Sequence, residues 1–270
     1  LPAAVAVGNG YGKLVGSTQV DELGVIETPI LLTGTLSVFR AADALLTYLL
    51  DLDPNAISLN PIVGETNDGF LSDIRQRPIT EQHVLGALAS ASAELPAEGC
   101  VGAGTGTAAL GFKAGIGTSS RVAPTGVVGA LVQANFSGVL RVLGTPIPAP
   151  PSPSEPTGNS CMIVLATDLP LDARQLGRIA RRAIFALGLV GSDYAPGSGD
   201  YAIAFSTSRQ PPMPEQDLKP VFQATMESVE EALLNSLTMA HTVTGFRGNT
   251  RYAVPHDYLL NRLSSAGVLH

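Results

Sequence analysis

Near the middle of the chain, the stretch TPIPAPPSPSEPTGN (residues 145–159) carries six prolines in fifteen residues. Proline fixes φ and has no backbone N–H, so neither a helix interior nor a central strand can run through such a segment. With its Ser, Thr and Gly it reads as an exposed, extended linker. The sequence on either side is regularly patterned. The chain is therefore expected to form two portions, 1–159 and 160–270, joined by a mobile segment.

After the linker, SCMIVLAT (160–167) is an apolar run of strand length bounded by turn residues, the mark of a buried strand. A helix follows, with Leu176, Ile179, Ala180, Ala183, Ile184 and Leu187 on one face and Gly188 as its expected stop. YAIAFST (201–207) reads as a second buried strand. Residues 219–244 read as a long helix whose stripe includes Phe222, Met226, Val229, Leu233, Leu237 and Ala240, ended by Gly245. In the first portion helices are expected near 38–50 and 80–94, and VVGALVQAN (127–135) is a clear strand. Helices alternating with buried strands imply sheets covered by helices, three or four layers deep.

Composition excludes several functions. A net charge of −7 and scattered basic residues argue against a nucleic-acid partner. The trio Arg178, Arg181 and Arg182 reads as a solvated helix face. No run approaches ~20 apolar residues, so no membrane-spanning helix is expected. Two cysteines, Cys100 and Cys161, are no cystine framework, and Cys161 in its apolar run reads as a buried thiol. The four histidines show no metal spacing. GAGTGTAALG (102–111) offers only a poor dinucleotide fingerprint, without a preceding long strand. Only 14% of residues are charged, consistent with surface hidden in an oligomer or with a large core. The chain starts at Leu1, which suggests a processed or trimmed N-terminus; the compartment stays open, cytoplasm favoured over periplasm.

The chemistry converges on Gly158-Asn159-Ser160, where the linker meets the buried strand. A Ser hydroxyl anchored on a rigid strand can attack the carbonyl before it, given a base and an oxyanion hole. Cleavage frees an α-amine on Ser160 whose reference pKa, ~7.7–8.0, suits a general base near neutrality. One residue then supplies nucleophile and base. A strand-initial Ser after a loop is the plainer alternative.

GNSCMIVLATDLPL followed by SGDYAIAFST resembles the DmpA family of self-processing L-aminopeptidase D-amidase/esterases, which includes β-peptidyl aminopeptidases. ELGVIETPILLTGTLSV, PIVGETNDGFLSDI, GFKAGIGTSSR and VGALVQANFSG resemble family segments in the same order, from about Gly8 to Thr250. Members usually carry an additional N-terminal stretch. The resemblance implies an α/β fold, a four-layer αββα sandwich of the kind shared with ornithine acetyltransferases. It also implies one structural domain built from both portions, tetramers of processed α/β pairs, a small peptide or amide substrate and no metal or cofactor.

By the same resemblance Ser160 matches the nucleophile and Asn159–Ser160 the bond that is cut. Ser198 and Asp200 match a Ser and acidic pair that orient and polarise the nucleophile, although Glu is common where this chain has Asp200. Asn135 matches an oxyanion-hole amide. Glu65 matches the acid that binds a substrate's free amino group. Asn67 stands where aminopeptidase members tend to have Tyr; a turn role beside Asp68-Gly69 is the alternative. Lys113 resembles a lysine near the nucleophile of oligoamide-hydrolysing relatives, with a structural lysine in a Gly-rich loop as its alternative. Two other readings remain: an acyltransferase of the ornithine acetyltransferase type, whose processing site is Thr-based, and an inactive scaffold. Substrate stereochemistry, β-peptides and non-peptide amides are left open.

Overall fold

The structure is a computed structural model and describes residues 1–151 and 159–269. The last strand-forming run before the linker and the first one after it lie side by side. Strands β1 (Ala3–Gly10), β5 (Ile116–Ala123), β6 (Gly126–Asn135), β7 (Asn159–Thr167) and β8 (Ser198–Ser206) form one sheet in the order β1-β8-β7-β6-β5. β7 at its centre pairs antiparallel with β6 and parallel with β8. The two portions of the chain therefore share one sheet.

The side chains of β7 explain the layering. Cys161, Ile163 and Leu165 point to one face and Met162 to the other, all essentially unexposed. A strand buried on both faces needs cover on both faces, hence a run with no polar interruption. On the Cys161 side lie helices α4 (Ala173–Leu189) and α5 (Leu218–Thr238), which contribute Leu176, Ile179, Ala183, Val229 and Leu233 to the main core. On the Met162 side lies a small sheet, β2 (Leu14–Val15), β4 (Ile62–Thr66) and β3 (Ile30–Gly34), in the order β2-β4-β3. Leu14 and Ile62 of this sheet and Val20 of helix α1 (Ser17–Leu23) pack with Met162, Tyr201 and Ile203. Gly64 has no room for a Cβ, because Met162 occupies that place. The outer face of the small sheet is closed by α2 (Val38–Leu52) and α3 (Glu81–Ala89) through Val38, Ala41, Val63 and Val84. The result is the expected four-layer αββα sandwich. Truncating a residue such as Ile163 to Ala would cost about 2–5 kcal/mol.

Several boundaries differ from the sequence reading. The long helix stops at Thr238 instead of 244, because the β-branched run Thr242-Val243-Thr244 leaves the helix and Val243–Thr244 pairs with Thr250–Arg251. α3 ends at Ala89, short of 94. α4 passes through Gly188, and the left-handed residue that ends it is Gly191, with φ +99°. The linker is only partly an exposed strap. Thr145–Pro146 pairs with Arg141–Val142, Ile147 is fully buried, and the carbonyls of Pro146 and Pro148 accept hydrogen bonds from Arg262 and Tyr258. Proline lacks a donor but keeps its carbonyl, which is what these contacts use. Residues 152–158, including Gly158, lie outside the described residues. In the arginine trio, Arg178 pairs with Glu215 and Arg182 stacks on Phe222, so this face is packed as well as solvated. Among the described residues, no helix is long and apolar enough to cross a membrane.

Candidate active site

Strand register brings four of the expected residues to the same end of the large sheet. Ser160 sits directly opposite Asn135 in the antiparallel β7–β6 ladder. Side chains of such a pair have Cβ atoms about 4.5–5.5 Å apart. On the other side, Ser160 is level with Gly199 in the parallel ladder to β8, between Ser198 and Asp200. Ser160 is 1% exposed, and its Oγ donates to the carbonyl oxygen of Asn159, the residue it follows.

Asn135 is clamped. Its Oδ1 accepts from the Ala108 N–H at 3.0 Å and its Nδ2 donates to the Asn67 carbonyl at 2.9 Å. A side-chain amide carries two N–H donors, so a second remains for an oxyanion. The 102–111 stretch, which fails as a nucleotide motif, thus has a structural use: its Ala108 backbone aims the amide.

Ser198 and Asp200 act as a pair, with Ser198 Oγ donating to Asp200 Oδ1 at 2.7 Å. Alternation along the strands places them on the helix-facing side with Ala202 and Ala204, whereas Ser160 shares the face of Met162. Asp200 is level with Cys161 in the β7–β8 ladder and lies on the opposite face of the sheet from the Ser160 side chain. Burial raises its pKa above the ordinary carboxylate range, opposed by the hydrogen bond from Ser198.

Glu65 reaches the same end from the small sheet. Its Oε1 accepts from the Lys13 N–H at 3.0 Å and lies 3.7 Å from Lys13 Nζ. A methyl group built on Gly12 would be 3.1 Å from Glu65 Oε1, Gly199 Cα and Tyr201. The carboxylate therefore abuts the start of β8. Burial raises its pKa, with Lys13 pulling the other way. Asn67 follows as a turn residue, its Oδ1 accepting from the Gly69 N–H at 3.1 Å, while its carbonyl holds Asn135. Lys113 is the ladder partner of Ala108, whose N–H holds Asn135. It is fully buried, its ammonium donates to the carbonyls of Gly104 and Ala114, and burial lowers its pKa, with Asp68 pulling the other way.

The sequence reading passed over Asp68, which is adjacent to Asn67. Its Oδ2 accepts from Ser72 Oγ at 2.6 Å, and burial raises its pKa. A pattern unites these groups. Glu65 Oε2, Asp68 Oδ1, Gln133 Oε1 and Asp200 Oδ2 are buried acceptors without a hydrogen-bond partner. Buried acceptors are normally satisfied, so a site this rich in them is short of donors. No cluster suited to a metal ion occurs among the described residues.

Comparison with known proteins decides the family. A sequence profile described as peptidase family S58 matches residues 1–251. The chain belongs to peptidase family S58. The β-peptidyl aminopeptidase BapA of Sphingosinicella xenopeptidilytica is 38% identical over 295 residues, covering 95% of this chain and 73% of that protein. The crystal structure of the PH0078 protein from Pyrococcus horikoshii OT3 superposes with a TM-score of 0.92 at 41% identity, covering 100% of this chain and 81% of that one. The L-aminopeptidase D-Ala-esterase/amidase of Ochrobactrum anthropi, described as a prototype for the serine aminopeptidases and a variant of the Ntn hydrolase fold, gives a TM-score of 0.90 at 33% identity. It is covered over 82% of its chain by 100% of this one. The S58 chain is a self-processing serine hydrolase of the N-terminal-nucleophile type, an aminopeptidase or amidase; acyl transfer and an inactive scaffold are not favoured.

Proposed function

We propose that Ser160 cuts the Asn159–Ser160 bond and then serves as the N-terminal nucleophile toward amides whose substrate carries a free amino group. The observation that carries this reading is the placement of Ser160 Oγ against the Asn159 carbonyl, directly across from the Asn135 amide. In the first step Oγ adds to the carbonyl carbon, and the negative oxygen is met by the spare Asn135 N–H. Such a donor contributes roughly 3–4 kcal/mol to a barrier. The C–N bond breaks, the hydroxyl proton goes to the departing Ser160 amine, and an ester joins the pieces. Water then releases Asn159 as a carboxylate and regenerates the Ser160 hydroxyl.

The freed α-amine takes the proton of Oγ during attack on substrate and returns it to the leaving amine. Asp200 and Ser198, through their place beside the 160–161 backbone, hold that amine in line. The partnerless Glu65 Oε2 receives the substrate ammonium, which brings the three donors this site is short of. Cleavage yields portions 1–159 and 160–270, which stay together because β7 is the middle of the shared sheet. The low charged fraction is consistent with assembly into a tetramer of processed pairs.

Intact mass under denaturing conditions tests the reading. Two wild-type pieces split after Asn159, with an uncut Ser160→Ala chain, are expected. A wild type that stays whole through prolonged incubation, or a Ser160→Ala chain still cut there, overturns it.

A further inference from the structure

We propose that Ser137 and Asp193 form a clamp that holds the Asn159 side chain, and with it the carbonyl attacked in self-cleavage, so that the site selects an amide at the position before the cut. The inference rests on Ser160 as the processing nucleophile. Asn159 Nδ2 donates to Ser137 Oγ at 3.1 Å, and Ser137 Oγ donates to Asp193 Oδ1 at 2.6 Å. The direction of the chain is fixed. Asp193 Oδ1 accepts the hydrogen bond of the Ser137 hydroxyl, which leaves Ser137 with its lone pairs toward residue 159. Only a side chain with an N–H or O–H can complete it; an aspartate cannot.

The clamp is anchored on both sides. Asp193 Oδ1 also accepts from the Ala195 N–H at 3.2 Å, and Asp193 N–H donates to the Ser137 carbonyl at 3.3 Å. Around it the backbone of 137–141 is laced to 190–193, with Val139 N–H on Gly191 O at 3.1 Å and Arg141 N–H on Val190 O at 2.9 Å. Gly138 (φ +133°) and Gly191 (φ +99°) permit this approach, since a Cβ on either would strike the opposing carbonyl. The two loops thus form one rigid support for a residue whose neighbours on the N-terminal side belong to the Pro-rich segment. The carbonyl attacked from the next residue is held here through its own side chain. Asn159 begins β7, so β8 and the clamp between them fix the peptide plane.

The consequence is confined to processing. The measurement is the time course of cleavage of freshly translated full-length chain, read by intact mass. Misplacing a reacting group by about 1 Å costs on the order of 100-fold, so Ser137→Ala and Asp193→Ala are expected to slow cleavage by roughly ten- to hundredfold. Ser137→Thr, which keeps the hydroxyl, should restore most of the rate. Asn159→Asp should be slow and Asn159→Gly intermediate. The decisive arm is the pair Asn159→Gly and Asn159→Gly/Ser137→Ala. With no side chain to hold, removal of Ser137 should add nothing. A Ser137→Ala chain that cleaves at the wild-type rate overturns the clamp. So does equal slowing in both backgrounds, which marks a merely structural Ser137. A Ser160→Ala chain that is still cut before residue 160 overturns the nucleophile instead, whatever the Ser137 result.

Discussion

The two sides of the candidate site are built by different physics. At the end of the large sheet, Asn135 and Ser160 are placed by ladder register, and both polar ends of the Asn135 amide are satisfied. At the end of the small sheet, Glu65, Asn67 and Asp68 leave a five-residue strand, and two of their carboxylate oxygens are buried without partners. Register is all or nothing, since a slip of one residue would turn Ser160 to the opposite face. Desolvation is graded and can be offset by whatever binds. The large-sheet side suits fixed chemistry, and the small-sheet side suits recognition of a donor-rich group.

Breaking the register-built side should therefore give the larger losses. Ser160→Ala should abolish both processing and turnover. Asn135→Ala removes the oxyanion donor and also strands the Ala108 N–H and Asn67 carbonyl. We expect turnover to fall by about 10²–10³ through kcat, measured on any amide substrate the wild type accepts. A loss confined to KM would mean that Asn135 only supports the loop.

On the recognition side, Glu65→Gln should spare kcat and raise KM about tenfold, roughly 1.4 kcal/mol. The effect should vanish with an N-acylated substrate that has no ammonium. Equal effects on acylated and free-amine substrates would remove Glu65 from substrate binding. Stability should move with pH in a defined sense. Burial raises the pKa of Glu65 above its ordinary 4.5, and Asp68 and Asp200 shift the same way. The folded chain then holds protons that the unfolded chain has released. Stability is fullest below the ordinary carboxylate range and is lost as pH rises through the raised values. Denaturant midpoints of the uncleavable Ser160→Ala chain should fall between about pH 4 and about pH 7, and less steeply when Glu65→Gln is added. An equal slope in both chains would mean that Glu65 keeps its ordinary pKa when folded.

The contrast also explains what could be read from sequence. β6 and β7 were legible because strands buried on both faces leave uninterrupted apolar runs. Ser160 was legible because such a run begins there, straight after prolines. The order of family segments supplied Glu65, Asn135, Ser198 and Asp200. Their facing was not legible. That Asp200 faces away from the Ser160 side chain follows from alternation measured against Cys161 and Ala202, which needs the sheet. Lys13 meets Glu65 across 52 positions, and nothing local announces it. Lys113 was ambiguous because a Gly-rich loop can either expose a lysine or wrap it in carbonyls; here the Gly104 and Ala114 carbonyls enclose it. Asp68 lies within the PIVGETNDGFLSDI segment, and its position next to Asn67 was signal enough to include it. The helix reading overshot at 244 because Ala240 continues the three-four spacing for one more turn, while the β-branched residues after it do not.

The smallest expected effect sharpens the comparison from the recognition side. The family resemblance implies a Tyr where this chain has Asn67, yet the Asn67 Oδ1 is occupied by the Gly69 N–H, and the contact to Asn135 comes from its backbone carbonyl. Any side chain keeps that carbonyl. Asn67→Ala should lose only the turn bond, about 0.5–1.5 kcal/mol of stability, and change kcat within roughly threefold, about 0.6 kcal/mol. Asn67→Tyr tests the converse. If a hydroxyl can reach the oxyanion from this position, kcat should rise above wild type while the 65–69 turn stays folded. A tenfold or greater loss of kcat in Asn67→Ala, with unchanged melting, would show the amide itself donating to the oxyanion and would move Asn67 into the register-built half of the site.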